Sequence, residues 1–277
     1  MNIKIVTDSS ADLISLPGVD FDFAPLKIIT ADREYVDDEN LDTVEMASEM
    51  QEYKGKSSTS CPNATDWLSA FGDAEQIICI TITATLSGSY NSAVLAKQLY
   101  EKEHPGRRVF VFNSLSAGPE IAIMAVKVRE LIHSGADFDS ICQSLTEYAG
   151  NTGLLFMLES LNNFANNGRV SPVLAKAVGL LGMRIVGKAS EGGDLEPLNK
   201  CRGEAKGLAA LIGHLKESGL EHGLVRIDHC MNEDTAKKLG RMILAEFPSA
   251  RVAIHECRGL CSFYAEMGGL LVGFEKF

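Results

Sequence analysis

The sequence predicts a two-domain α/β protein, with a parallel sheet in the amino-terminal domain and a mixed sheet in the carboxy-terminal α/β domain. Two observations predict this class. In the first half, short apolar strands alternate with helical patterns, which is typical of a parallel sheet covered by helices on both faces. Near residue 150 that alternation changes, so we divide the chain into residues 1–150 and 151–277.

Three strands are predicted in the first domain. They are predicted at 2–7 ("NIKIVT"), 75–83 ("EQIICITIT") and 107–114 ("RRVFVFNS"). The run of β-branched residues in the second is expected of a strand buried on both faces. Each ends in a loop rich in Ser, Thr or Asn. Because ligands of open parallel sheets sit at the carboxyl ends of the strands, these loops predict a neutral anion-binding site formed by hydroxyls and a helix amino terminus.

The helices of the first domain are predicted from spacing and end signals. Asn63 followed by Asp66 resembles a capping box at the start of one helix. Apolar residues recur at helical spacing between 121 and 132, and Gly135 is placed to end that helix.

The second domain is predicted to combine strands and helices in a different order. A strand is read at "TGLLFML", and further strands at "LVRIDHC", "ARVAIHE" and "GGLLVGFE". Helices are predicted near 204–216 and 232–246. Strands and helices in this order indicate a mixed sheet.

Composition excludes several classes of function. Lys and Arg number 26 against 37 Asp and Glu, a formal net charge of −11, so we expect no nucleic-acid partner. The apolar stretches are too short for a membrane span, and the first residues do not form a signal peptide. The seven scattered cysteines are expected to be free thiols, which predicts a cytoplasmic protein.

Motifs of common active sites are absent from the sequence. There is no Walker loop and no Gly-x-Gly-x-x-Gly fingerprint after the first strand, and neither Ser87 nor Ser116 lies in a Gly-x-Ser-x-Gly elbow. His255, Cys257 and Cys261 do not match zinc spacing. The acidic run at 32–40 lacks the alternation of a calcium loop, and we interpret it as a solvated loop.

Several segments together resemble the DegV family, whose members bind fatty acids. In chain order they are "KIVTDSSADL", "STSCPN", "ITATLSGSYNSA", "FNSLSAG", "NNGRVS" and "GGLLVGFE". The resemblance covers essentially the whole chain. It implies two α/β domains with a long-chain fatty acid buried between them, its carboxylate held by hydroxyls.

The resemblance also implies a set of site residues. The Thr-Ser pair of the family falls on Thr59 and Ser60, and the serine of its Leu-Ser-Gly-Thr-Tyr motif falls on Ser87. Arg202 matches a family arginine near the mouth of the site. The full set of expected ligand-binding residues is Thr59, Ser60, Ser87, Gly88, Ser89, Ser116, Arg202 and Tyr264. For Arg169 and Arg184, ion pairing is favoured over ligand contact.

The family comparison implies no cofactor besides the fatty acid and no metal, and some members present the carboxyl group to a fatty acid kinase. Here the sequence departs from the pattern, because Tyr264 stands where many members have histidine and Glu266 follows where they have glycine. That histidine lies near the carboxyl group in kinase-partnered members. The kinase partnership is therefore open at this point.

Two alternatives to the lipid carrier follow from the residues. One is a hydrolase or an acyl or phosphoryl transferase that uses Ser87 or Ser116 as nucleophile and His255 as base. The other is a carrier of a different amphipathic ligand. The carrier reading itself assigns no catalysis to this protein.

Overall fold

The computed structural model describes residues 3–171 and 182–277. A four-stranded parallel sheet organises the amino-terminal part, in the order β2-β1-β6-β7. Its strands are β1 (Ile3–Asp8), β2 (Asp20–Ala24), β6 (Gln76–Thr81) and β7 (Arg108–Asn113). The three predicted strands are therefore confirmed, as β1, β6 and β7; Asn2 of the first lies outside the described residues.

Helices cover both faces of this sheet because successive side chains of its strands point in opposite directions. Along β6, Ile77 and Cys79 pack into one core cluster and Ile78 and Ile80 into another. The first cluster is closed by helices α2 (Ala64–Phe71) and α3 (Ser89–Glu103), and the second by α4 (Pro119–His133) and α5 (Phe138–Ala149).

The end signals of two predicted helices are confirmed. Asn63 accepts hydrogen bonds from the backbone of the first turn of α2, and Asp66 accepts one from the Asn63 N–H, which completes the capping box. Helix α4 ends at His133, and Gly135 follows at φ +80°, the left-handed conformation that glycine adopts without strain.

A small antiparallel sheet corrects the interpretation of residues 32–40. Strands β3 (Lys27–Ile29), β4 (Glu34–Val36) and β5 (Ser58–Ser60) pair in the order β4-β3-β5, and helix α1 (Thr43–Glu52) follows β4. The interpretation as a solvated loop was wrong for residues 34–37. Tyr35 packs against Ile28 and Met46, and the Asp37 carboxylate is buried as a helix cap.

The carboxy-terminal part is built on a six-stranded mixed sheet, in the order β10-β9-β8-β13-β11-β12. Among the strand pairs of this sheet in the described residues, only β11–β12 is parallel. The strands are β8 (Thr152–Leu158), β9 (Met183–Ala189), β10 (Leu195–Arg202), β11 (His222–His229), β12 (Ser249–Glu256) and β13 (Leu270–Glu275).

Four helices accompany the six-stranded sheet in the described part of the chain. They are α6 (Asn162–Asn166), α7 (Glu204–Glu217), α8 (Glu233–Glu246) and α9 (Gly259–Ala265). Helices α7 and α8 confirm the two predictions at 204–216 and 232–246. They cover one face of the sheet, where Leu211 and Leu239 pack against Val225 and Val272.

Helix α9 belongs to the second half of the chain but packs against α1 and β3 of the first half. Asp37 fixes its start, because its carboxylate oxygens accept hydrogen bonds from the N–H groups of Gly259 (2.8 Å) and Leu260 (2.9 Å). Burial raises the pKa of Asp37, while the two backbone donors favour its charged form. A side chain of the amino-terminal half thus caps a helix that lines the space between the two large sheets.

Three further findings concern the predictions from composition. All seven cysteines lie in the described residues, and all are free thiols. Within residues 3–171 and 182–277 there is no group of three or more His, Cys, Asp or Glu side chains that could hold a metal ion. In the same ranges, every helix is too short or too polar to cross a bilayer.

Candidate functional site

A cavity of about 330 Å³ lies between the carboxyl ends of the amino-terminal strands and one face of the six-stranded sheet. Strand β8 provides much of its apolar wall. Leu154, Phe156 and Leu158 line the cavity, whereas Leu155 and Met157 point to the core on the other face, as the two-residue period of a strand requires. The volume lies in the range of small-molecule sites, which begins at about 300 Å³.

Much of the remaining apolar wall comes from five segments that are distant in sequence. Ile82 follows β6, Leu26 precedes β3, and Leu271 lies on β13. Phe164 lies on α6, and Leu260 and Ala265 lie on α9. The cavity is therefore assembled only when both halves of the chain are folded together.

One part of the cavity is lined by polar side chains. The Thr59 and Tyr264 hydroxyls are 2.7 Å apart and hydrogen-bonded, which joins β5 to α9. The Tyr264 ring stacks on Phe164 with ring centroids 4.6 Å apart, and the Arg169 guanidinium lies 6.0 Å from its centroid. Burial is the main cause that raises the pKa of Tyr264, so its hydroxyl is a neutral donor at ordinary pH.

The loop before α3 supplies the other polar groups. Ser87 and Gly88 line the cavity, and Gly88 is the N-cap residue of α3. A Cβ atom at Gly88 would lie 3.1 Å from the Cys61 sulfur, so glycine permits this close approach of the loop to the segment after β5. Arg169 Nε donates to the Leu86 carbonyl oxygen (3.2 Å), which fixes the arginine against the same loop.

Six of the eight residues expected to bind ligand line this cavity: Thr59, Ser60, Ser87, Gly88, Ser116 and Tyr264. Ser89 and Arg202 do not. Ser89 is fully buried, and its hydroxyl donates to Asp8 Oδ2 (2.6 Å). Leu195 at the start of β10 lines the cavity, but Arg202 lies seven residues further along, about 23 Å away at 3.3 Å per residue.

Asp8, at the end of β1, connects the first of the three hydroxyl-rich loops to the second. Its carboxylate accepts hydrogen bonds from the Ser10 hydroxyl (2.5 Å), the Ser89 hydroxyl and the Ile82 N–H (2.9 Å). Burial raises the pKa of Asp8. The Asp8 carboxylate thus holds the second loop in place below the cavity, and in the described part of the chain only the second and third loops reach the cavity itself.

Ser116 lines the cavity, but its hydroxyl proton is already used in a hydrogen bond. Its hydroxyl donates to Glu120 Oε2 (2.5 Å), and the other oxygen of Glu120 accepts from Thr152 (2.7 Å). His255, the base of the alternative enzyme mechanism, lines a different cavity on the far side of α4. The structure therefore does not bring His255 to either Ser87 or Ser116.

The two other basic residues named from the sequence behave differently. Arg184 forms the expected ion pair, with Nη2 2.5 Å from Glu159 Oε1. Arg169 pairs with no carboxylate in residues 3–171 and 182–277 and instead lines the cavity, so the expectation of an ion pair was wrong for it. This placement could not be predicted from the sequence, because the partners of Arg169 are the backbone carbonyl groups of Leu86 and Asn167.

A family model described as "Uncharacterised protein, DegV family" matches residues 2–276. A DegV domain-containing protein of Streptococcus pneumoniae is 42% identical, with 99% of each chain covered.

Two crystal structures match closely. The Streptococcus pneumoniae Fatty Acid Kinase (Fak) B3 protein loaded with linoleic acid has a TM-score of 0.98 at 41% identity and is covered completely, as is this chain. A DegV family protein from Eubacterium eligens loaded with heptadecanoic acid has a TM-score of 0.97 at 40% identity, with 99% of this chain and 100% of the other covered. This chain belongs to the DegV family.

Proposed function

We propose that this protein binds one long-chain fatty acid in the cavity between its two large sheets. The observation that carries the proposal is the division of the cavity into an apolar wall and a polar part that holds Thr59, Ser87, Arg169 and Tyr264. A carboxylate taken from water needs hydrogen-bond donors, and hydroxyls, a guanidinium and the start of α3 supply them. The apolar wall suits an acyl chain.

Burial of the acyl chain supplies most of the affinity in this proposal. Each buried methylene contributes about 0.8 kcal/mol, so a long chain contributes roughly 10 kcal/mol before ordering costs. The polar part then fixes the position of the carboxylate. Relatives with bound linoleic and heptadecanoic acid support this ligand class over another amphipathic molecule.

We further propose that the protein acts as a carrier that presents the carboxyl group to a fatty acid kinase and has no catalytic role itself. The similarity to a protein named for that kinase supports the partner, and the separation of His255 from both serines supports the absence of catalysis. Because Tyr264 stands where many family members have histidine, presentation of the carboxyl group to the kinase would depend on a neutral phenol. The seven free thiols are consistent with the cytoplasmic location, which stays a prediction.

The head-group assignment is tested by replacing Thr59 and Ser87 together with alanine. Loss of two hydrogen bonds worth about 1 kcal/mol each should weaken fatty-acid affinity about 30-fold and leave the fold intact. The matched control is Ser48→Ala with Thr146→Ala, because both hydroxyls are exposed and bond only to their own helices. Calorimetric titration with delipidated protein gives the affinities.

An unchanged affinity of the Thr59→Ala, Ser87→Ala variant would contradict the head-group assignment. Mass spectrometry of lipid extracted from the purified wild-type protein tests the ligand class itself. Retained saturated or unsaturated fatty acids support the proposal, whereas consistent recovery of another lipid class would overturn it.

Replacing Tyr264 with histidine should make fatty-acid affinity depend on pH. Burial raises the pKa of the phenol, so the wild-type group stays neutral between about pH 5.5 and 7.5. An imidazole with an ordinary pKa of about 6.5 becomes a cation as the pH falls and then attracts the carboxylate. Relative to wild type, the variant should therefore bind more tightly at the lower pH. A ratio of the two affinities that stays constant over this range would rule out contact between residue 264 and the carboxylate.

A further inference from the structure

A second cavity, of about 250 Å³, lies on the same face of the six-stranded sheet as the first but on the other side of α4. Strand β13 runs past both cavities. Its Leu271 lines the first cavity and Glu275 the second, while Gly273 between them lies against the backbone of Pro119 and Glu120 at the start of α4. The proposed function does not use this second cavity.

The second cavity carries positive charge in a chain whose formal net charge is −11. Lys127 and Arg129 reach it from α4, Arg226 from β11 and Arg251 from β12. Its carboxylates are Glu130 and Glu275, and the buried Asp228 just outside the lining pairs with Arg226, so the formal excess is one positive charge before His255, which also lines the cavity, is considered. Such a local excess attracts anions.

The carboxylates of the cavity leave Lys127, Arg129 and Arg251 weakly paired. Glu275 accepts hydrogen bonds from the Tyr148 hydroxyl (2.6 Å) and the Leu224 N–H (2.5 Å), and its nearest approach to Arg251 is 3.9 Å. Lys127 is 4.0 Å from Glu130, beyond hydrogen-bond distance. Arg129 makes no hydrogen bond or ion pair with any other residue in the ranges 3–171 and 182–277.

Arg226 is the buried member of the group, with only 6% of its surface exposed. Its Nε donates to Asp228 Oδ1 (2.7 Å) and its Nη2 to the Asp12 carbonyl oxygen (2.9 Å), which holds the guanidinium rigidly. The other terminal nitrogen, Nη1, has no hydrogen-bond partner in the described part of the chain, yet it is not sealed from solvent. A fixed guanidinium with free N–H donors lining a cavity is suited to an anionic ligand.

We propose that this second cavity binds a phosphate monoester with a small organic part. Guanidinium groups match phosphate oxygens in pairs, and three arginines line the cavity. The volume approaches the lower end of ligand sites, about 300 Å³, so it leaves room beyond the phosphate group. Val126, Leu224 and Ala253 offer apolar contact to the organic part.

The test uses the full-length protein in phosphate-free buffer, titrated calorimetrically with phenyl phosphate and with inorganic phosphate. We expect phenyl phosphate to bind more tightly than inorganic phosphate. Arg129→Ala and Arg251→Ala should each weaken phenyl phosphate binding about tenfold, because each removes a charge-assisted contact. These two arginines are chosen because Arg226 also holds buried Asp228, so its replacement would disturb the fold.

Arg241→Ala is the matched control, since Arg241 is exposed on α8 and outside the cavity. It should change the affinity by less than about twofold. The proposal is overturned if neither probe binds, or if Arg241→Ala weakens binding as much as the cavity variants do. Vesicles that contain phosphatidic acid present the same phosphate group on a lipid. Binding to vesicles without binding of phenyl phosphate would place the ligand in a membrane and would overturn the small-molecule proposal.

Discussion

Replacing Asp37 with alanine is expected to lower the free energy of unfolding by about 4 kcal/mol. The carboxylate accepts hydrogen bonds from the N–H groups of Gly259 and Leu260, and alanine would leave both donors buried without a partner. Each such donor costs about 2 kcal/mol. Because α9 carries Leu260 and Tyr264 into the cavity, fatty-acid binding should weaken in the same variant.

Urea unfolding followed by the fluorescence of Trp67 measures this effect, since it is the only tryptophan and is fully buried. Asp32→Ala is the control, because Asp32 is an exposed carboxylate near the same small sheet and its loss should change stability by less than about 0.5 kcal/mol. Equal unfolding midpoints for the Asp37→Ala variant and the wild type would show that Asp37 does not hold α9.

Replacing Ala117 with tryptophan is expected to weaken the binding of a long-chain fatty acid more than 100-fold. Ala117 lines the cavity and is only partly buried, so an indole there would occupy space that the proposed ligand needs. Exclusion of four methylenes costs about 3 kcal/mol, which corresponds to roughly a 150-fold loss of affinity.

Native mass spectrometry after incubation with fatty acid compares the variant with wild type. The control is Ala209→Trp, which places the same side chain on the exposed side of α7. A shorter acid should recover part of the lost affinity, because fewer methylenes compete with the indole. If Ala117→Trp retains a long-chain acid as well as wild type does, the proposed position of the acyl chain is incorrect.

The elements that could be predicted from the sequence are those with strong local signals. The run of β-branched residues in β6, the capping box of Asn63 and Asp66, and the end of α4 near Gly135 depend on neighbouring residues alone. The short strands β4 and β5 could not be predicted, because their pairing with β3 is decided by residues far away. Tyr35 and Asp37 are polar in sequence but are buried by contacts with Met46 and α9.

In the candidate site, too, the residues in local motifs could be predicted and those placed by distant contacts could not. The cavity residues Thr59 and Ser87 lie in recognisable motifs, so the resemblance to DegV proteins located them. The position of Arg169 could not be predicted, because its hydrogen-bond partners are backbone carbonyl groups, which every residue type carries. The apolar wall of β8 was also hidden, since "TGLLFML" is apolar on both faces and does not indicate which face meets a ligand.

The position of β13 has a consequence for the biosynthesis of the protein. This strand, the last of the sheet in sequence, lies between β8 and β11, so the six-stranded sheet cannot close until residue 275 has left the ribosome. The strands of the amino-terminal parallel sheet end at residue 113 and the helices that cover it end at residue 149, so this sheet can form earlier, as nascent chains commonly fold from the amino terminus. Until synthesis reaches β13, the apolar side chains of β8 are exposed, and a nascent chain stalled at that stage should be a substrate for chaperones.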